Sequence, residues 1–184
     1  MPHLAFEELG DGLKARLRGR VERLGYLGEF FQVAAQQPTA LGHFVDFTEE
    51  LKEVLPARQV EVIALTISSR TENVYERVQH ERLARVIGFT TREIEALERG
   101  TVTCADGFTE GECAIADLAQ AVVAAGGKGC PNAYQRVREL TDEASAVALL
   151  MMCSRYLAHA SISNTWRLAP PVPSIFDAAG EVGS

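Results

Sequence analysis

The sequence predicts an all-α protein, and three observations support this fold class. Three segments have the Ser/Thr-x-x-Glu form of a helix capping box, and they begin at Ser69, Thr90 and Thr109. Gly88 and Gly100 each follow a segment with helical character, and glycine is a typical residue at a helix end. No stretch shows the period-2 alternation of a strand or the turn of a β-hairpin. We therefore expect a compact bundle of helices.

Four helices are predicted in the first 70 residues. Phe44, Phe47 and Leu51 are spaced by 3 and 4 residues, which places them on one face of a helix. Pro38 interrupts the preceding segment, and Pro56 stands where a new helix can begin. The predicted helices are residues 13–25, 28–36, 43–55 and 58–68.

Five further helices follow from the capping boxes and the glycine breaks. Ser69, Thr90 and Thr109 each cap one of them, and Thr141 is expected to cap the long last one. The predicted helices are residues 70–88, 91–100, 113–125, 132–140 and 142–163.

The predicted domain organisation is simple. Residues 1–167 are expected to form a single all-α domain, and the Pro-rich residues 168–184 an extended C-terminal arm, because proline cannot continue a helix. Residues 62–70 and 147–155 match in pattern at a constant offset of 85, since 155 − 70 = 85. This match is compatible with an old duplication, and it gives weak support for an internal two-fold repeat.

Composition narrows the class of function. The 184 residues are 47% hydrophobic with a formal net charge of −7, and they show no cluster of Lys and Arg of the kind that tracks a phosphate backbone. We therefore expect no nucleic-acid partner. The first residues do not resemble a secretory signal, and no run of about 18 apolar residues occurs that would span a bilayer. The expected location is the cytoplasm, with no membrane partner.

The four cysteines are widely spaced in the sequence. Cys104, Cys113, Cys130 and Cys153 match neither a zinc-binding spacing nor the dense framework of a small secreted domain. We expect reduced thiols, most of them buried.

Glu61 is the residue that most needs an explanation. It stands alone in the apolar run of residues 60–67, where an unpaired carboxylate would carry a desolvation cost. His80 lies 19 residues further on, since 80 − 61 = 19, and each residue is about ten positions from the turn expected near Ser69. Antiparallel helices would bring the two side chains to the same level. A buried Glu that holds an imidazole fixes its tautomer and raises its basicity.

The helix that carries His80 continues this polar site. Asn73, Glu76, His80, Ala84 and Ile87 fall on one stripe, because steps of 3 and 4 residues stay on one helix face. The apolar end of the stripe indicates core, and the polar end indicates a partly buried pocket. Simpler interpretations exist: His80 as a structural residue, Glu76 facing solvent and Asn73 as a residue of the first helical turn.

The run of residues 28–88 resembles the carboxymuconolactone decarboxylase and alkylhydroperoxidase D superfamily. The resemblance rests on Phe30-Phe31, Pro38, the apolar helix with Glu61, and the ending His80-x-x-x-Ala84-x-x-x-Gly88. The long helix with Tyr156, the Asn164 region and the Pro-rich tail is similar to the second half of the longer, decarboxylase-like members. The resemblance implies a compact all-α bundle and a homo-oligomer: a trimer, a hexamer or a dimer-based assembly.

The peroxidase branch of that superfamily carries Cys-x-x-Cys four residues before its histidine, and a glutamate completes a proton relay. Mapped by spacing, the relay residues fall on Glu61 and His80, and the cysteine positions fall on Asn73 and Glu76. Tyr75 lies where that branch can carry a second histidine. Peroxide reduction by this motif needs two thiols, which neither Asn nor Glu supplies. The resemblance therefore favours the decarboxylase branch, which uses no metal and no organic cofactor.

The implied chemistry is decarboxylation of a small carboxylated compound. His80 is the expected acid, Glu61 orients it, and Glu76 completes the catalytic group. Arg70 or Arg77 would hold a carboxylate by a bidentate contact. Asn73 and Tyr75 complete the expected substrate-binding set.

Two alternatives stay open. The first is peroxide reduction through a cysteine outside the motif, and the second is a helical oligomer that binds a ligand without catalysis. A metal site built from Glu61, Glu76 and His80 is conceivable, because Glu and His four residues apart can reach one ion, but it is not expected. Tyr156 and His159 are interpreted as packing at a subunit interface.

Overall fold

The computed structural model describes residues 2–177, and every regular element within them is helical. The all-α prediction is therefore confirmed. Two short 3-10 turns, Phe6–Glu8 and Cys104–Asp106, accompany the α-helices. The α-helices are α1 (Asp11–Leu24), α2 (Glu29–Ala34), α3 (Pro38–Val54), α4 (Ala57–Arg70), α5 (Val74–Val86), α6 (Thr91–Arg99), α7 (Glu110–Ala125), α8 (Pro131–Leu140) and α9 (Glu143–Trp166).

Two of the three predicted capping boxes are confirmed. The side chains of Thr90 and Thr109 accept from the backbone amides of Glu93 and Glu112, and both glutamates reach back to the cap amide. The box predicted at Ser69 is wrong, because α4 runs through Ser69 to Arg70.

Other predicted helix ends also differ from the structure. Asn73 caps α5 by accepting from the backbone amide of Glu76, after a turn in which Glu72 has a φ of 53°. Asp142, and not Thr141, caps α9. Pro38 begins α3 instead of interrupting a helix, because a helix start needs no partner for the missing amide hydrogen.

The described residues form two compact units, divided between residues 50 and 51. In the first unit, Leu13 and Leu17 of α1 are buried, as are Phe30 and Phe31 of α2. Two ion pairs join α1 to α3: Arg16 with Asp46, and Arg20 with Glu49. The single domain expected over residues 1–167 stays a prediction.

Helix α4 is the centre of the second unit. Residues 60–68 are all buried, and α4 packs against α5, α6, α7 and α9. A helix that is apolar on every side needs neighbours on every side. This position brings Glu61, its one acidic residue, into the interior. The repeat suggested by residues 62–70 and 147–155 pairs parts of α4 and α9 and stays a prediction.

Residues 168–177 contain no α-helix, as the proline-rich sequence predicts, and the rest of the expected arm lies outside the described residues. The segment is held against α5. The Ser174 hydroxyl donates to Glu81 Oε2 at 2.6 Å, and the Ile175 amide donates to the same oxygen at 2.9 Å. Arg82 donates to the carbonyl of Pro173. Glu81, which is fully buried, therefore has two hydrogen-bond donors in the C-terminal segment.

Helix α9 is long and apolar. Among the described residues, Glu143–Trp166 is the one helix whose length and composition would allow it to cross a membrane, and half of its most apolar stretch is buried inside the protein. The core helix of a bundle has the same properties.

Candidate active site

Glu61 and His80 form the hydrogen bond that the sequence predicts. Helices α4 and α5 pack together on either side of the turn at residues 71–73. Glu61 Oε2 lies 2.7 Å from His80 Nδ1. The side chains are 4% and 14% exposed, so the pair is shielded from water. With Nδ1 held by the carboxylate, Nε2 is the ring atom that faces the rest of the site.

Glu76 is buried beside this pair instead of facing solvent. Its Oε2 lies 3.7 Å from His80 Nε2, 3.5 Å from His159 Nδ1 and 3.7 Å from Arg155 Nη1. These distances exceed a normal hydrogen bond, so the attraction is mainly electrostatic. Three basic side chains thus surround one buried carboxylate.

The charges of the cluster change its acid-base behaviour. Burial alone would lower the pKa of His80, but the charge and hydrogen bond of Glu61, together with the nearby Glu76 carboxylate, raise it to about 9. Burial alone would raise the pKa of Glu76, but His159, His80 and Arg155 hold it well below its usual range. Near neutral pH, His80 is therefore an imidazolium and Glu76 a carboxylate.

Two tyrosines pack against the rings of the cluster. The Tyr156 ring meets the His80 ring edge to face, with centroids 5.3 Å apart. Tyr75 stacks on His159 with centroids 6.3 Å apart. The Arg155 guanidinium carbon lies 4.6 Å from the centre of the Tyr156 ring. These contacts fix the rings and limit access of water to the charges.

Asn73 supports the site from its edge. The side chain is completely buried, and its oxygen accepts from the Glu76 amide at 3.2 Å. Its Nδ2 donates to Ser163 Oγ at 2.9 Å. Asn73 therefore joins the start of α5, which carries Glu76, to α9.

Arg70 and Arg77, the predicted carboxylate-binding residues, contact acidic residues and carbonyls outside the Glu61–His80 pair. Arg70 ends α4 and donates to the backbone carbonyl of Glu98. Arg77 Nε lies 3.6 Å from Glu81 Oε1, and its Nη1 lies 3.9 Å from Glu98 Oε2. These contacts engage both side chains with α6 or with Glu81, and their role in binding a carboxylate stays a prediction.

Sequence reasoning missed Arg155 and assigned Tyr156 and His159 to packing at a subunit interface. All three come from α9, 75 or more residues after His80 in the chain. Arg155 and His159 are four residues apart on an otherwise apolar helix, the kind of anomaly that singled out Glu61. That spacing is the one signal that points to them.

The prediction that most cysteines are buried is wrong. Cys153 is buried, Cys113 and Cys130 are half-buried, and Cys104 is exposed. Cys104 and Cys113 are neighbours in space, with 3.8 Å between their sulfur atoms.

Within residues 2–177, no group of three or more His, Cys, Asp or Glu side chains is placed to hold a metal ion.

The fold has clear counterparts among solved structures. An uncharacterised peroxidase-related protein from Ralstonia eutropha JMP134, described as an alkylhydroperoxidase AhpD core, superposes with a TM-score of 0.78 over 92% of this chain and 90% of its own, at 17% identity. The chain has the alkylhydroperoxidase D-like fold. A peroxidase-related protein from Silicibacter sp. TM1040 shares this fold, with a TM-score of 0.75 over 93% of each chain at 16% identity.

The alkylhydroperoxidase D-like fold also includes an enzyme of different activity. The debrominase Bmp8, solved in complex with 2,3,4-tribromopyrrole, has a TM-score of 0.73 over 86% of this chain and 85% of its own, at 15% identity. No protein-family model and no curated protein matches the sequence. Identities this low establish the fold, so the chemistry must be argued from the residues of this chain.

Proposed function

We propose that this protein is an enzyme that carries out acid-base chemistry of the decarboxylation type on a small carboxylated compound, without a cofactor, with His80 as the proton donor. The observation that carries the proposal is the buried hydrogen bond from His80 Nδ1 to Glu61, with Glu76, Arg155 and His159 around it. A debrominase and uncharacterised peroxidase-related proteins share this fold, so the reaction of this chain must be argued from its own residues.

The protonation state of His80 favours an acid over a base. With a pKa raised to about 9, the imidazole carries its proton near neutral pH. Loss of CO₂ leaves an electron pair on the carbon that held the carboxylate, and that carbon takes a proton from His80 Nε2–H. The neutral imidazole then recovers a proton from water. Glu61 stabilises the imidazolium before the transfer and fixes the ring throughout.

Arg155 is a further candidate, beside Arg70 and Arg77, for binding the substrate carboxylate. It is 6% exposed and belongs to the same cluster as His80. A guanidinium offers a planar pair of donors that matches a carboxylate. Glu76 competes for these donors and restricts the site to a compound of low negative charge. Tyr75, with its ring against His159, is expected to line the same region.

The test is turnover of a panel of small carboxylated lactones and β-keto acids in D₂O, with CO₂ release measured and deuterium located in the product by NMR. We expect His80→Gln to abolish turnover and His43→Gln, a change at an exposed histidine, to leave it intact. Full activity in His80→Gln would contradict the assignment, and so would a wild-type protein that turns over no compound of the panel. We also expect a homo-oligomer, which sedimentation would show.

A further inference from the structure

Cys104 lies in the connection between α6 and α7, and Cys113 lies near the start of α7. Cys104 belongs to the exposed 3-10 turn Cys104–Asp106, and Cys113 lies in the first turn of α7. Their sulfur atoms are 3.8 Å apart although the residues are nine positions apart in the chain. None of the residues of the Glu61–His80 cluster takes part.

The geometry allows a disulfide with little movement. A disulfide bond is about 2.05 Å long, so the two sulfur atoms must approach by roughly 1.8 Å. Cys104 is exposed and in a short surface turn, so a rotation of its side chain can supply that movement. Exposed disulfides of this kind are more easily reduced than buried ones, so the bond would be reversible.

The two thiols differ in access, since Cys104 is exposed and Cys113 is half-buried. Burial raises the pKa of Cys113 to about 11, helped by the contact with Cys104 and by the charges of Asp117 and Glu112. Cys113 therefore keeps its proton near neutral pH. Cys104, at the surface, is the sulfur that a small molecule in solution can reach first.

We propose that Cys104 and Cys113 form a reversible dithiol–disulfide centre that exchanges with small neutral or cationic disulfides. The charge preference comes from Asp117, the acidic neighbour of Cys113 that remains once Glu112 is paired with Arg58, and from the formal net charge of −7. Both repel an anionic disulfide such as oxidised glutathione. Cystamine, a dication, is the matching probe.

The exchange balances in two steps. The Cys104 thiolate bonds to one sulfur of cystamine, the S–S bond of cystamine breaks, and one cysteamine leaves as a thiolate that takes a proton. Cys113 then gives up its proton to solvent and attacks Cys104 Sγ, which releases the second cysteamine. The protein gains one disulfide, and one cystamine is reduced to two cysteamines.

The sequence makes the product easy to identify. Cys104 and Cys113 lie in one tryptic peptide, residues 100–128, which contains no other cysteine. Cys130 and Cys153 lie in two other tryptic peptides. A disulfide within residues 100–128 therefore lowers the mass of that peptide by two hydrogen atoms, while a bond between Cys130 and Cys153 joins two peptides.

The experiment is oxidation of the reduced full-length protein by cystamine and, separately, by oxidised glutathione, followed by alkylation and peptide mass analysis. We expect the intrapeptide disulfide in the wild type and in the control Cys130→Ser, and a stable mixed disulfide at Cys104 in Cys113→Ser. Cystamine should react faster than oxidised glutathione by roughly 3- to 10-fold at low salt, and the ratio should fall as salt is added.

Several results would overturn the proposal. One such result is that the wild-type protein accumulates mixed disulfides with cystamine and does not form the Cys104–Cys113 bond. Another is that the first disulfide to form joins Cys130 to Cys153. Equal rates for the two probes at low salt would remove the charge preference. The far-UV circular dichroism spectrum of Cys113→Ser, compared with that of the wild type, shows whether the variant is folded, because an exposed Cys104 would react in an unfolded chain as well.

Discussion

Glu93 and Glu112 occupy the same position in two successive capping boxes, and each turns a carboxylate oxygen to the guanidinium of Arg58. Glu93 Oε2 accepts from the Thr90 amide at 2.7 Å, and Glu112 Oε2 accepts from the Thr109 amide at 2.8 Å. One arginine of α4 thus holds the starts of α6 and α7 in place.

Removing Arg58 should destabilise the protein strongly. Both glutamate side chains are 8% exposed, so Arg58→Ala leaves two poorly solvated carboxylates without their cation. We expect the free energy of unfolding to fall by about 3 kcal/mol, measured by urea denaturation. The matched control is Arg92→Ala, because Arg92 pairs with Asp106 but is 71% exposed, and it should cost less than about 1 kcal/mol. Similar losses in the two variants would contradict the structural role of Arg58.

His80 should make the folded state sensitive to alkaline pH. Its folded pKa of about 9 lies above the ordinary value of 6.5, so its stabilising contribution is complete below pH 6.5 and is lost as the pH rises through 9. Relative to His80→Gln, the wild type should lose roughly 2–3 kcal/mol between these limits. Denaturation series at several pH values measure this difference. A difference that does not change with pH would show that the pKa of His80 is not raised.

Glu61 should be the main cause of the raised pKa of His80. Its charge and its 2.7 Å hydrogen bond act more strongly on the imidazole than the charge of Glu76, whose oxygen is 3.7 Å away. Glu61→Gln should therefore lower the pKa of His80 more than Glu76→Gln does, as followed by NMR titration of the ring Cε1–H. Equal shifts of the His80 pKa in the two variants would mean that Glu61 is not its main cause.

Ionisation of Glu98 should lower the free energy of unfolding as the pH rises toward neutrality. Burial, followed by the charge and hydrogen bond of Glu81, raises its pKa to about 7 against an ordinary value of 4.5, although Arg77 opposes the shift. Its contribution is thus complete below pH 4.5 and is lost as the pH rises through 7. Relative to Glu98→Gln, the wild type should lose roughly 1–2 kcal/mol, since the side chain is 15% exposed and partly screened. Unfolding curves at pH 5 and pH 8 give the comparison, and the opposite sign would refute it.

Features that depend on residues close together in the chain can be predicted from the sequence. The starts of α6 and α7 follow from a threonine and a glutamate three residues later. The contact of Glu61 with His80 follows from equal distances to one turn. The turn lies at residues 71–73 and not at Ser69, because Asn73 is the residue whose side chain accepts from the backbone amide of Glu76 and caps α5.

The rest of the site depends on packing between distant segments. Arg155 and His159 reach Glu76 because α9 packs against α4, and no local pattern specifies that contact. Arg77 follows Glu76 directly, and one residue rotates a side chain by about 100° around the helix axis, toward Glu81 and Glu98. Arg77 therefore contacts a different group of side chains from Glu76, although the two residues are adjacent in the sequence.

The C-terminal segment has a consequence for how related chains of different length should be compared. Glu81 directly follows His80 on α5, and its carboxylate is completed by the Ser174 hydroxyl and the Ile175 amide. In a chain that ended before Ser174, the carboxylate of Glu81 would stay buried without two of its hydrogen-bond donors. We therefore expect the identity of the residue at position 81 to covary with the presence of this tail, with a neutral or apolar side chain wherever the tail is missing.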